Sequence, residues 1–152
     1  MTAPDVLTAL RGHAFLSGLD ERQITLLAGL VRRLELDAGA LLGREGQPAE
    51  TFFLVLAGRV AIELPVPGRG AARLQTVGPG EVVGWSWLVP PHRWEFDARA
   101  VEPVVALALD ATALRAACLR DHELGYQILA RLVRAIGGRL AAARVQLLDL
   151  YR

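Results

Sequence analysis

The stretch FFLVLAGRVAIEL, residues 52–64, decides the fold class. Two runs of β-favouring residues, 52–56 and 60–64, flank Ala57-Gly58-Arg59. A short glycine-containing connection between such runs predicts a hairpin. The same signals continue outward over residues 41–110. PVPGRG at 65–70 is a loop by composition, residues 74–77 form a strand, and Gly78-Pro79-Gly80 breaks it. Residues 95–101 and 104–109 give two more strands, split by Glu102-Pro103. Short strands at this spacing, punctuated by glycine and proline, point to a β-barrel or sandwich.

Helical signals lie on both sides. Asp20 followed by Gln23 is a capping-box pattern, and the helix it starts is expected to bury Ile24, Leu27, Leu30 and Val31. Asp37-Ala38-Gly39 then ends the opening unit. After the strands, residues 111–119 read as a short helix and Asp121 can cap a longer one. Tyr126, Leu129, Val133, Ile136, Leu140, Ala143, Leu147 and Leu150 repeat at alternating spacings of 3 and 4. That is the register of a coiled-coil seam. A helix of roughly 30 residues would be about 45 Å long, more than a small barrel can cover, so its far end needs a partner. Gly137-Gly138 sits in mid-seam and predicts either a kink or a close approach of two backbones.

Composition narrows the function classes. The length of 152 residues suits one domain, read here as 1–152 with helices at 1–36, strands at 37–110 and helices at 111–152. Apolar residues make up 53% of the chain, yet no run approaches the roughly 20 needed to cross a bilayer. The first residues, MTAPDVLTALRG, lack a secretory pattern, so the expectation is a cytoplasmic protein without a membrane partner. All seventeen basic residues are arginines, balanced by sixteen acids and spread along the chain. No basic face for direct nucleic-acid binding is expected. Cys118 is the one cysteine and reads as a small buried hydrophobe. His13, His92 and His122 lack metal-ligand spacing, so no metal is expected. Nucleophile elbows, phosphate-binding P-loops and dinucleotide fingerprints are missing, so no catalytic residue is assigned and the protein is not expected to be an enzyme.

The unusual chemistry is concentrated in GPGEVVGWSWLVPPHRWEFDARA, residues 78–100. This stretch holds all three tryptophans, a proline pair and Arg93. Loops carried on a rigid sheet are where binding residues gather. Arg93 is either an anion clamp working with the Gly84 and Ser86 amides or a surface arginine on a rigid turn. Trp85, Trp87 and Trp94 either line an aromatic pocket or fill the barrel and close it.

Read in order, these pieces resemble the cyclic nucleotide-binding domain of the Crp/Fnr family of bacterial regulators. The resemblance rests on Phe15-Leu16-Ser17-Gly18-Leu19 with its following helix, on residues 38–50, and on the run FLVLAGRV at 53–60. Arg99-Ala100-Val101-Glu102 matches the strand after the family's ligand cassette. The resemblance implies an eight-stranded jelly-roll barrel flanked by N-terminal helices and a long C-terminal dimerisation helix. It also implies a cassette in which helix-end amides and an arginine hold the phosphate while a glutamate takes the ribose hydroxyl.

This chain departs from that pattern at the cassette. Gly84 aligns with the family glycine, but Trp85 stands in the glutamate slot. Ser86-Trp87-Leu88-Val89 replaces the family's L-A-L-L run, and Arg93 lies one position early, followed by Trp94. An indole is donor-only and cannot accept from a ribose hydroxyl. The expectation is therefore a Crp/Fnr-like regulatory protein with a degenerate cassette, not a standard cAMP binder. Its candidate ligand residues are Gly84, Trp85, Ser86, Trp87, Arg93 and Trp94, with a cyclic nucleotide or another anionic small molecule as effector. Val133, Ile136, Leu140, Ala143 and Leu147 are the expected homodimer seam. The sequence stops at Arg152, before any helix-turn-helix, and reads as a natural single-domain protein. The alternatives are an interaction module with a closed pocket, or the sensory half of a DNA-binding regulator that does bind cyclic nucleotide.

Overall fold

The structure, a computed structural model, describes residues 3–151; the expected domain limits at 1 and 152 fall outside them. Helices α1 (Ala3–Gly12) and α2 (Glu21–Ala28) flank a single 3₁₀ turn at Ala14–Leu16. The strands are β1 (Val31–Leu36), β2 (Leu41–Gly43), β3 (Thr51–Ala57), β4 (Val60–Val66), β5 (Gly70–Val77), β6 (Val82–Val83), β7 (Asp97–Ala100) and β8 (Val104–Asp110). Helices α3 (Ala111–Arg120) and α4 (His122–Leu150) follow. The strands form two four-stranded antiparallel sheets, ordered β1-β8-β3-β6 and β2-β7-β4-β5. One apolar core joins them, running from Phe53, Leu54 and Val55 through Val60 and Ile62 to Ala98 and Leu107.

Two expectations are corrected. The run around Gly58 is not a hairpin, because β3 and β4 belong to different sheets. Gly58 has φ +87°, and a Cβ there would lie 2.2 Å from the Pro103 carbonyl oxygen. Only glycine permits this conformation at that separation, and the turn carries the chain from one sheet to the other. The real hairpin is β4 with β5, where Val66 faces Gly70. The second correction concerns α2, which stops at Ala28 with Ile24 and Leu27 buried. Val31 begins a strand instead, pairing with Leu109 of β8. Val-Arg-Arg-Leu-Glu-Leu is amphipathic in either conformation, and pairing to the neighbouring strand decides it.

Local signals elsewhere hold. The Asp20 carboxylate accepts from the Gln23 amide while the Gln23 side chain accepts from the Asp20 amide, at 2.8 and 3.0 Å. Asp121 caps α4 by accepting from the Leu124 amide, and its carboxylate pairs with Arg22 of α2 at 2.8 Å. Helix α4 then runs for 29 residues without a break at Gly137-Gly138. A Cβ at either glycine would meet no atom within 4 Å, so nothing in this chain approaches them closely. Leu124, Ile128 and Leu132 face the core, whereas Val133 (61%), Leu140 (52%) and Leu147 (53%) are exposed. Cys118 is half-buried, and burial raises its pKa, with the Asp121 carboxylate adding to the effect. Among the described residues no helix is long and apolar enough to cross a membrane.

His13 pins the N-terminal unit to the sheet. Its Nε2 donates to the Val55 carbonyl at 2.9 Å and its Nδ1 accepts from the Phe15 amide at 3.2 Å, which requires the neutral ring. Burial lowers its pKa below the ordinary value, against a smaller opposing effect of the Val55 bond. The unfolded chain therefore binds the proton more readily than the folded one. The stability this confers is complete above about pH 6.5 and is lost as the pH falls towards the folded-state pKa. Urea midpoints should decline from pH 7 to pH 5, and His13→Gln should flatten that decline. Equal slopes for both proteins would remove His13 from this role.

Candidate functional site

The cassette is positioned by three fixed supports. Before it, Gly80 donates its amide to the Val55 carbonyl, and the Glu81 carbonyl accepts from the Val55 amide, at 3.1 and 3.0 Å. The Glu81 carboxylate closes the turn by accepting from the Gly78 amide at 2.7 Å. After it, residues 46–49 lie along 92–94: Gly46 donates to the Trp94 carbonyl, Trp94 to Gln47 and Ala49 to His92, at 2.7–2.8 Å. Between them the chain turns through Trp85–Leu88 and Ser86–Val89 backbone bonds and a cis Pro90-Pro91.

The tryptophans do not form one cluster. Phe52 and Phe53 are adjacent on β3 and so point to opposite sides of the sheet. Trp87 packs on Phe52 at 5.3 Å between ring centroids, with Phe15 on the same phenylalanine at 5.5 Å. Trp94 packs on Phe53 at 6.4 Å and on Phe96 at 5.8 Å. Strand β3 thus separates them. Trp87 is fully buried, and its carbonyl accepts from Arg115 of α3 at 2.6 Å. Trp85 is half-buried at the edge of the core. Trp87 Nε1 and the neighbouring Ser86 Oγ are buried without a hydrogen-bond partner among the described residues.

Trp94 decides the volume over Gly84. A Cβ at Gly43 would lie 2.2 Å from its indole, and a Cβ at Gly84 2.8 Å from it. The ring is therefore laid against two glycine backbones, one on β2 and one at the cassette entrance. Gly84 has φ +89°, a conformation that suits glycine alone. Arg93 is exposed and donates to the Gly46 carbonyl at 2.8 Å. Gly84 and Trp94 are thus brought together, Trp87 lies across the sheet, and Arg93 binds the outer strap.

The profile of the cyclic nucleotide-binding domain matches residues 33–121. This chain belongs to the cyclic nucleotide-binding domain family. It is 25% identical over 133 residues to the CRP-like cAMP-activated global transcriptional regulator of Mycobacterium tuberculosis, covering 88% of this chain and 58% of that one. The chain thus spans little more than half the length of that relative. It is 29% identical over 141 residues to Glutaminase 2 of Bradyrhizobium diazoefficiens, covering 91% of this chain but 22% of the enzyme. The fold is shared with a cyclic nucleotide-binding domain from Methylobacillus flagellatus KT, with a TM-score of 0.79, 19% identity and coverage of 97% and 83%.

Arginines that sequence reasoning missed gather elsewhere. Helix α4, β5 and the turn before β6 border an open groove of about 980 Å³ that includes Gln75, Glu81, Arg131, Arg134, Gly138 and Arg139. Gln75 donates to the Arg139 carbonyl at 2.7 Å, and the Arg139 guanidinium donates to the Val82 carbonyl. Spacings of three and five along one helix gave no motif; only the docking of α4 places β5 and β6 opposite them.

The seating of Trp94 can be checked directly. Gly43→Ala should destabilise the protein by about 1–3 kcal/mol in urea titration through overpacking. That cost should shrink when Trp94 is replaced by Phe in the same chain. An identical cost in both backgrounds would mean that the indole does not rest on Gly43.

Proposed function

We propose that this chain is a homodimeric, cytoplasmic regulatory module of the Crp/Fnr type, built on the family's jelly-roll barrel, whose cassette no longer takes cAMP. The observation that carries the reading is the Trp94 indole against Gly84 and Gly43. It occupies the space over the cassette glycine, while Trp85 offers no acceptor for a ribose hydroxyl. Losing such a partner leaves buried ligand atoms unpaired, at about 1–3 kcal/mol each. Arg93 reinforces the reading, since its guanidinium holds the Gly46 carbonyl and keeps to the exposed side. No step in this role needs catalytic chemistry.

The exposed stripe of α4 supports the dimer. Leu129, Val133, Ile136, Leu140 and Leu147 remain exposed although they follow an apolar heptad register, with Ala143 half-covered among them. A second copy of the same helix is their natural cover, and the paired helices become the element through which the module acts on a partner. A second reading is favoured by one observation: the chain spans 58% of the M. tuberculosis regulator. On that reading it is the sensory half of a longer DNA-binding protein.

Tryptophan fluorescence titrated with cAMP and cGMP should stay flat while the protein remains folded. A saturable change lost in Arg93→Ala would restore cyclic nucleotide binding at the cassette. Ile136→Glu should convert dimers to monomers in sedimentation; an unaltered oligomer would remove the α4 seam.

A further inference from the structure

The groove beside α4 carries chemistry that the closed cassette leaves unused. Its charged residues are Arg131, Arg134, Arg139 and Glu81, three cations less one anion, or a net charge of +2. Arg131 donates to the Gln127 side chain at 2.6 Å and to the Ser17 carbonyl, and Arg139 donates to Val82. Each guanidinium has five donors, so these bonds leave others open. Arg134 has no hydrogen bond or ion pair among the described residues, and it stands close enough to Arg131 to repel it. Burial is the main influence lowering the pKa of both Arg131 and Arg139, with Glu81 only partly offsetting it at Arg139. Cations held this way favour an incoming anion.

The floor of the groove points the same way. Ala130, Ala135, Gly138 and Ala142 are all small. Glycine inside a helix costs about 1 kcal/mol relative to alanine, yet no atom lies within 4 Å of a Cβ at Gly138. No packing in this chain requires that glycine, and any larger side chain would enter the groove. At about 100° per residue, Arg131, Arg134, Gly138 and Ala142 share one side of α4, and Leu129, Val133, Leu140 and Leu147 lie nearly opposite. Apart from Tyr126, which begins the heptad register and also lines the groove, a ligand there and a second helix on the seam use different faces.

We propose that this groove is the ligand site of the chain, and that it takes a dianionic phosphate monoester of nucleotide size. Two net positive charges match a monoester, which carries a charge near −2 at neutral pH, better than the single charge of a cyclic diester. Arginine forks bind phosphate oxygens in pairs. Tyr126 and Phe15 among the lining residues offer aromatic surface to a base. Bound there, the ligand ties α4 to β5 and to the turn before β6, which couples occupancy to the helix that carries the dimer seam. The inference rests on the closed-cassette reading only in locating the ligand here instead.

The test is isothermal titration of the full chain with AMP and with cAMP at constant ionic strength, alongside thermal unfolding. AMP should bind saturably, about tenfold tighter than cAMP, and Arg134→Gln should weaken it by about tenfold. Gly138→Leu should abolish AMP binding while melting no lower than the parent, because it raises helix propensity. Arg144→Gln, an equal loss of charge elsewhere on α4, should leave binding unchanged. Lack of saturable AMP binding would overturn the proposal. So would Gly138→Leu binding as the parent does, or Arg144→Gln weakening binding as much as Arg134→Gln. Binding of cAMP that survives Gly138→Leu and is lost in Arg93→Ala would overturn the closed cassette instead, with the AMP results still deciding the groove.

Discussion

One indole laid against two glycines governs the interior of this protein. Trp94 follows the outer strap, where its backbone is paired with Gly46 and Gln47, and its ring reaches Gly43, Gly84, Phe53 and Phe96. The strap fixes the backbone and the glycines supply the room. Interiors are packed to the density of organic crystals, so a ring in that place excludes anything else. On the proposed reading, the inner volume of the cassette loop is filled by the chain itself, through the Trp94 ring against Gly43 and Gly84.

Arg93 is spent on the Gly46 carbonyl, and Arg99 on Glu63 and the Gly39 carbonyl. On α4, Arg131 and Arg139 hold the helix to Ser17 and Val82, while Arg134 is exposed and unpaired among the described residues. The same helix carries both the docking contacts and the exposed apolar stripe. On the proposed reading, occupancy of the groove alters how the stripe is presented, which is the coupling a regulatory module needs.

Much of this was legible in the residues. The capping box at Asp20 and Gln23, the Asp121 cap and the unbroken heptad spacing each have a local cause, and local causes survive folding. The resemblance to the family came from ordered short runs, above all residues 53–60. What failed had non-local causes. Residues 52–64 looked like a hairpin because sequence cannot show Pro103 pressing on Gly58. Val31–Leu36 looked helical because its alternation becomes decisive only beside β8. At the site, the oddity of Trp85 was plain, but the separation of Trp87 from Trp94 by β3 needed the fold. The groove left one trace in the sequence, the costly Gly138, whose meaning depends on what faces it.

The filled interior is tested most directly by the three indole N–H resonances of the ¹⁵N-labelled protein, assigned by single Trp→Phe variants and followed as cAMP is added to saturating excess. If Trp94 occupies the space over Gly84, its resonance and that of Trp87 keep their positions throughout. A saturable shift of the Trp94 resonance, with Trp85 moving in step, would show a nucleotide entering the cassette and would contradict the account.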